Sequence, residues 1–236
     1  MKTISQKEEE LFDRWIVRNG PAFTIDGVVD EKEYINQKTK ILYVLKEGNW
    51  EECDDRWELK ASLQDVETNG RHWRTWNNIV RWTKALLENG AYPCHVSNED
   101  KAIWTKKIAF IELKKKPGGR QSVDEKIREY VERDKDLLKE QILLYSPDII
   151  ICCGRGEGKN ADLLYDYVFD NSIKSKWSGP LEQLTENKYN YFTVVIEGKT
   201  VPVISFVHPQ MRGGHEAFKK KYDDMKEIGQ FFGICN

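Results

Sequence analysis

The chain has 236 residues, and its 37 Lys and Arg against 39 Asp and Glu give a formal net charge of −2 and a pI of about 6.2. A uniformly basic nucleic-acid coat is excluded, so any affinity for phosphate has to come from local patches. The hydrophobic share of 39% with 32% charged residues is that of a soluble globular protein of one domain, and apolar runs such as 148–153 are far too short to span a bilayer.

The first ten residues contain no apolar stretch of signal-peptide length, so a cytoplasmic protein with reduced thiols and no membrane partner is expected. Cys53, Cys94, Cys152, Cys153 and Cys235 include no Cys-x-x-Cys pair, and neighbours such as Cys152 and Cys153 would point to opposite faces of a strand, so no metal site is expected.

In chain order, Leu11, Phe12, Trp15 and Ile16 form a helical stripe within an N-terminal helical extension, 1–40. The run 41–45 is of strand length. Trp76, Ile79, Val80, Thr83, Leu86 and Leu87 mark a second helix, closed by Gly90. A strand over 108–113 follows, then a helix over 124–145 that Ser122 or Asp124 can cap and Pro147 stops. A strand over 148–153 comes next, and 191–196 and 200–207 are joined by a Glu197-Gly198-Lys199 hairpin. Phe218, Tyr222, Met225, Ile228 and Phe232 complete a last helix. Strands with apolar residues on both faces, alternating with helices, predict a three-layer α/β/α sandwich around a mainly parallel sheet of four central strands, in a single domain covering 1–236.

Each of those strands runs into a polar loop: Lys46-Glu47-Gly48-Asn49-Trp50, then Lys114-Lys115-Lys116-Pro117-Gly118-Gly119-Arg120, then 154–159, then His208-Pro209-Gln210-Met211-Arg212-Gly213-Gly214. In a parallel sheet all four loops converge on the carboxyl rim, where ligands bind. Taken singly, Glu47 reads best as a solvated loop residue and His208-Pro209 as the cap of a strand. The segment 106–121 carries a net charge of +5 and 208–221 a net of +3, against −5 over 47–58. Solvated surface lysines compete with a phosphate-binding reading of the two basic segments. Trp73, Trp76 and Trp82 are dense enough for a stacking platform, with core packing the expected role of Trp76. Gly154-Arg155-Gly156-Glu157-Gly158-Lys159 lacks the spacing of a nucleotide-hydrolysing loop.

The order of the rim motifs resembles the uracil-DNA glycosylase-like superfamily. Ile41 to Asn49 is similar to the strand that in that family ends in Gly-Gln-Asp-Pro-Tyr or Gly-Glu-Ala-Pro-Gly, and Ile108 to Gly119 is similar to its base-reading strand. Pro147 to Gly154 is similar to its Pro-x-x-Ile-x-x-x-Gly strand, and His208-Pro209-Gln210 to its His-Pro-Ser. The resemblance implies flipping of a base from DNA and hydrolysis of its N-glycosidic bond, by a monomer needing no metal or organic cofactor. By the resemblance, Glu47 activates water and stabilises the sugar cation, although a shift of one residue would align it with the Glu of Gly-Glu-Ala-Pro. His208 then bonds the departing base, Met211 wedges into the stack, and Trp50 or Trp73 stacks on the base. Lys114, Lys115, Lys116, Gly118, Gly119, Arg120, Arg212, Gly213 and Gly214 border the site as nucleic-acid contacts. Glu112 stands where the family has Asn, and a carboxylate only accepts hydrogen bonds unless it is protonated. That departure disfavours uracil and favours a base with an exocyclic amine, or else removes activity. Gln210 for Ser and Gly48 for Pro are further departures. Two other readings remain: a non-catalytic DNA- or RNA-binding module, and a protein that binds a free nucleotide.

Overall fold

A computed structural model describes residues 2–49, 55–64, 74–119, 121–169, 179–180 and 189–234. The elements are α1 (Ile4–Asn19), β1 (Phe23–Thr24), β2 (Gly27–Val28), α2 (Glu31–Ile35), β3 (Ile41–Asn49), β4 (Arg56–Trp57), α3 (Leu59–Gln64), α4 (Arg74–Glu88), α5 (Asn98–Thr105) and β5 (Ile108–Gly118). They continue with α6 (Asp124–Tyr145), β6 (Ile149–Cys153), α7 (Asn160–Leu163) running into a π-helical turn, β7 (Gly179–Pro180), β8 (Asn190–Ile196), β9 (Lys199–Phe206) and α8 (His215–Phe231).

The four apolar runs pair side by side and parallel, β5 with β3, β3 with β6, and β6 with β9. The sheet is not, however, the four-stranded parallel one expected. It has seven strands in the order β2-β5-β3-β6-β9-β8-β7 and is mixed, because β2, β8 and β7 join antiparallel at its two edges. The hairpin explains one edge: Glu197 and Gly198 both have positive φ, 49° and 79°, the backbone of a tight two-residue turn. The other edge comes from the first 40 residues, which form part of this core rather than an appendage to it.

Side-chain alternation splits the core into two layers. Leu42, Val44, Ala109, Ile111, Ile150 and Cys152 pack with Leu11, Phe12 and Trp15 of α1 and with Ile127, Val131, Leu138 and Ile142 of α6. Ile41, Tyr43, Phe110, Ile151, Cys153 and Phe206 pack with Trp76, Ile79 and Trp82 of α4 and with Tyr222, Met225 and Ile228 of α8. Helices therefore cover both faces of the sheet, and Cys152 and Cys153 lie in opposite layers as free thiols. The cap of α6 differs from expectation: Val123 is its N-cap and makes no side-chain cap bond, whereas Ser146 ends the helix in the left-handed region, directly before Pro147.

Both β3 and β5 run beyond their apolar cores, because their polar ends continue to pair, Glu47 with Lys114 and Asn49 with Gly118, across a register shift. The extension carries Lys115 into the α1–α6 layer, where it is fully buried. Lys115 Nζ donates to Asp26 Oδ2 at 2.5 Å and to Gln141 Oε1 at 2.7 Å, and Gln141 Nε2 donates to Asp26 Oδ1 at 2.8 Å. Beside this cluster Glu8 takes hydrogen bonds from the Val28 amide at 2.9 Å and from Lys60 Nζ at 2.6 Å. A buried charge left without its partner is costly. Lys115→Met should therefore destabilise the fold by about 3–5 kcal/mol, with the exposed neighbour Lys116→Met within about 0.5 kcal/mol of the parent in urea unfolding.

Candidate functional site

A pocket of about 170 Å³ opens at the carboxyl ends of β3 and β5 and the turn after β9, and Glu47, Glu112 and His208 all line it. For scale, a cavity of about 150 Å³ can hold benzene. Leu45, Leu59, Trp57 and Trp76 supply apolar and aromatic wall. Trp57 owes its position to Gly48, where any Cβ would come within 2.3 Å of the indole ring.

Glu47 is held from two sides. Lys114 Nζ donates to its Oε2, and the two side chains are only 9% and 6% exposed for Lys114 and Glu47 respectively. Gly118 packs directly on the carboxylate, since a Cβ there would fall 2.1 Å from Oε2. Lys114 also lies 5.5 Å from the centre of the Tyr130 ring. These contacts give the carboxylate a fixed direction and a balancing charge.

Glu112 has the opposite surroundings. It is 3% exposed, and its Oε2 is buried with no hydrogen-bond partner among the described residues. Its own amide donates to Asp26 Oδ2 at 2.6 Å, which brings a second carboxylate against it. Burial first, then the charges of Asp26 and Glu47, push its pKa up to about 8 against the pull of Lys115 and Lys114. Near neutral pH Glu112 is therefore an un-ionised acid, able to donate as well as accept. Of the two states that the sequence left open at this position, its surroundings favour the protonated one.

His208 stands exposed at the rim, in a turn anchored to α4: Asn78 Nδ2 donates to Pro209 O at 2.6 Å, and the Met211 amide donates to His208 O at 3.0 Å. Partial burial and the nearby Lys46 charge lower its pKa, so the ring is neutral at pH 7. The Gln210 amide donates to Nδ1 at 3.1 Å, which puts the ring proton on Nε2 and leaves an N–H donor for a ligand.

The cationic border is rearranged relative to expectation. Lys115 is fully buried against Asp26 and so is not a surface phosphate contact, whereas Lys114 is turned onto Glu47 and lines a groove beside it. Gly118 serves to seat Glu47, and Lys116, Arg212, Gly213 and Gly214 remain near or at the surface, with Met211 half-buried. Lys116, Gly118 and Gly119 line a separate groove that reaches the far side of Glu47 together with Lys126. Lys46 and Lys159 converge on Asp124, the first at 2.6 Å, and lower its pKa. Trp50, Trp73 and Arg120 lie outside the described residues, as do Cys53, Cys235 and residues 51–54 of the acidic stretch. Sequence reasoning missed Asp26, Asn78, Lys46 and Trp57. Only Lys46 and Trp57 carried a signal, in the rim loop and the aromatic content beside it.

Among the described residues no helix is long and apolar enough to cross a membrane, and no group of three or more His, Cys, Asp and Glu could hold a metal ion. No protein-family model, curated protein or solved structure matches the chain.

An acid whose pKa is raised on folding stabilises the fold below its unfolded pKa and loses that contribution as pH rises through the folded value. Stability should therefore fall between about pH 4.5 and pH 8 on account of Glu112. Glu112→Gln should flatten that limb, read as the difference between the urea midpoints of parent and variant at each pH.

Proposed function

We propose that the pocket receives a nucleobase flipped out of DNA and that the chain is an N-glycosidic hydrolase of the uracil-DNA glycosylase-like kind, acting as a cytoplasmic monomer. The observation that carries this reading is the meeting of Glu47, Glu112 and His208, distant in sequence, around one aromatic-walled pocket. Pockets that admit a flipped base read its edge by hydrogen bonds and hold its faces between apolar and aromatic side chains. Trp57 and Trp76 are the described side chains suited to the faces.

In this reading the fixed Glu47 carboxylate orients the attacking water, takes its proton and offsets positive charge on the sugar as the glycosidic bond breaks. His208 donates its Nε2–H to the oxygen of the departing base anion. Glu47 is held in place by its ion pair with Lys114, and His208 offers a neutral ring as donor. Lys116 and Arg212 are the exposed cations available to phosphates flanking the base.

The test is base release from duplexes containing uracil, hypoxanthine or a mismatch. Glu47→Gln should lower the rate by about 10²–10⁴-fold, and it should also lower thermal stability because it leaves the buried Lys114 without its counter-ion, so rates are compared below the variant's own unfolding transition. His208→Ala should also slow release. No base release from any of these duplexes overturns the hydrolase.

The burial of Lys115 favours one alternative, a protein that binds a free base or nucleotide, since it removes a cation from the border that a duplex would touch. A DNA-bound mode predicts affinity that falls steeply with salt, and a free-ligand mode predicts little change.

A further inference from the structure

The proton position on His208 depends on one backbone bond, the donation from the Gln210 amide to Nδ1 at 3.1 Å. That amide shares a planar peptide unit with the Pro209 carbonyl, so fixing one end of the unit fixes the other. The carbonyl end is the one that Asn78 holds, its Nδ2 donating to Pro209 O at 2.6 Å. Turning the peptide unit over would break both hydrogen bonds together.

Asn78 is 1% exposed, and its amide can serve Pro209 in only one of its two orientations. Arg81, three residues further along α4 and so on the same face, decides which. Its Nη1 donates to Asn78 Oδ1 at 3.0 Å, and a guanidinium has no acceptor to offer. The amide oxygen is therefore committed to Arg81 and the NH₂ group to Pro209. Arg81 is held in turn by two carbonyls of the segment after α4, with Nε donating to Pro93 O at 3.1 Å and Nη2 to Cys94 O at 3.0 Å. Its guanidinium also lies 5.4 Å from the centre of the Tyr92 ring and 5.7 Å from that of Phe218 on α8.

We propose that Arg81 and Asn78 are positioning residues that set the tautomer of His208 through the Pro209–Gln210 peptide. Neither side chain lines the pocket, so each acts on a ligand through the imidazole alone. The relay keeps Nδ1 as an acceptor and leaves Nε2–H as the donor. A lysine at position 81 could not reproduce it, because a single ammonium lacks the planar fork that meets three oxygens at once. That the ring then donates to a departing base rests on the nucleobase reading above; the tautomer itself does not.

The test is ¹⁵N NMR of the full labelled chain near pH 7.5, with His208→Ala used for assignment. In the parent, Nδ1 should resonate as an unprotonated ring nitrogen and Nε2 as a protonated one, with a coupling across the hydrogen bond between Nδ1 and the Gln210 amide. Asn78→Asp keeps a partner for Arg81 but puts an acceptor opposite Pro209 O. It should abolish that coupling and move both ring nitrogens toward mixed-tautomer averages. Arg81→Lys should weaken the coupling in the same direction, and it decides the matter if Asn78→Asp fails to fold. A parent protonated on Nδ1 overturns the proposal, as do folded variants that keep the parent's ring shifts and coupling. Base release supplies a second readout: Asn78→Asp should slow it by up to about 10²-fold, with no further loss in a His208→Ala background. An equal loss in both backgrounds would make the role of Asn78 merely structural and overturn the relay. No release by the parent would overturn the hydrolase instead, and the ring spectra alone would then decide the relay.

Discussion

Asp26 holds the candidate site in place from behind. Its carboxylate accepts hydrogen bonds from the Glu112 amide, Lys115 Nζ and Gln141 Nε2, tying the short N-terminal strands, β5 and α6 together at one buried point. The Lys115 charge makes that burial tolerable, and the chain has to carry β5 past its apolar core to deliver it. The same extension brings Lys114 to Glu47 and Gly118 against its carboxylate. One constraint behind the sheet thus determines which residues face the pocket.

The pocket sets two carboxyl groups in contrasting environments. Glu47 has a cation in contact and a glycine pressed against it; Glu112 has a negative neighbour behind it and an unsatisfied oxygen. Glu47 forms the ion pair with Lys114, while burial and the Asp26 charge raise the pKa of Glu112. His208, locked by α4 and protonated on Nε2, adds a donor that costs no reorganisation.

Much of this was legible in the sequence. The four apolar runs were visible because strands covered on both faces need apolar residues at every position, and the loops after them were polar enough to mark the rim. The edge strands were harder. β2 is two residues long and leaves no period to detect, so the size of the sheet and its mixed direction stayed hidden. Lys114 and Lys115 read as a surface patch because local charge says nothing about partners 67 and 89 residues away, Glu47 and Asp26. Glu112 stood out in the sequence because it occupies the position where the resembled family has Asn. Its ionisation state did not show there, since that depends on Asp26, Lys115 and the depth of burial together.

The most direct measurement is the ionisation of Glu112 itself, followed by the carboxyl ¹³C shift of labelled glutamate across pH 4 to 10, with Glu112→Gln used for assignment. A midpoint near pH 8 is predicted. A midpoint near the ordinary 4.5 would mean that a carboxylate faces the ligand, and the reading of this pocket would be wrong.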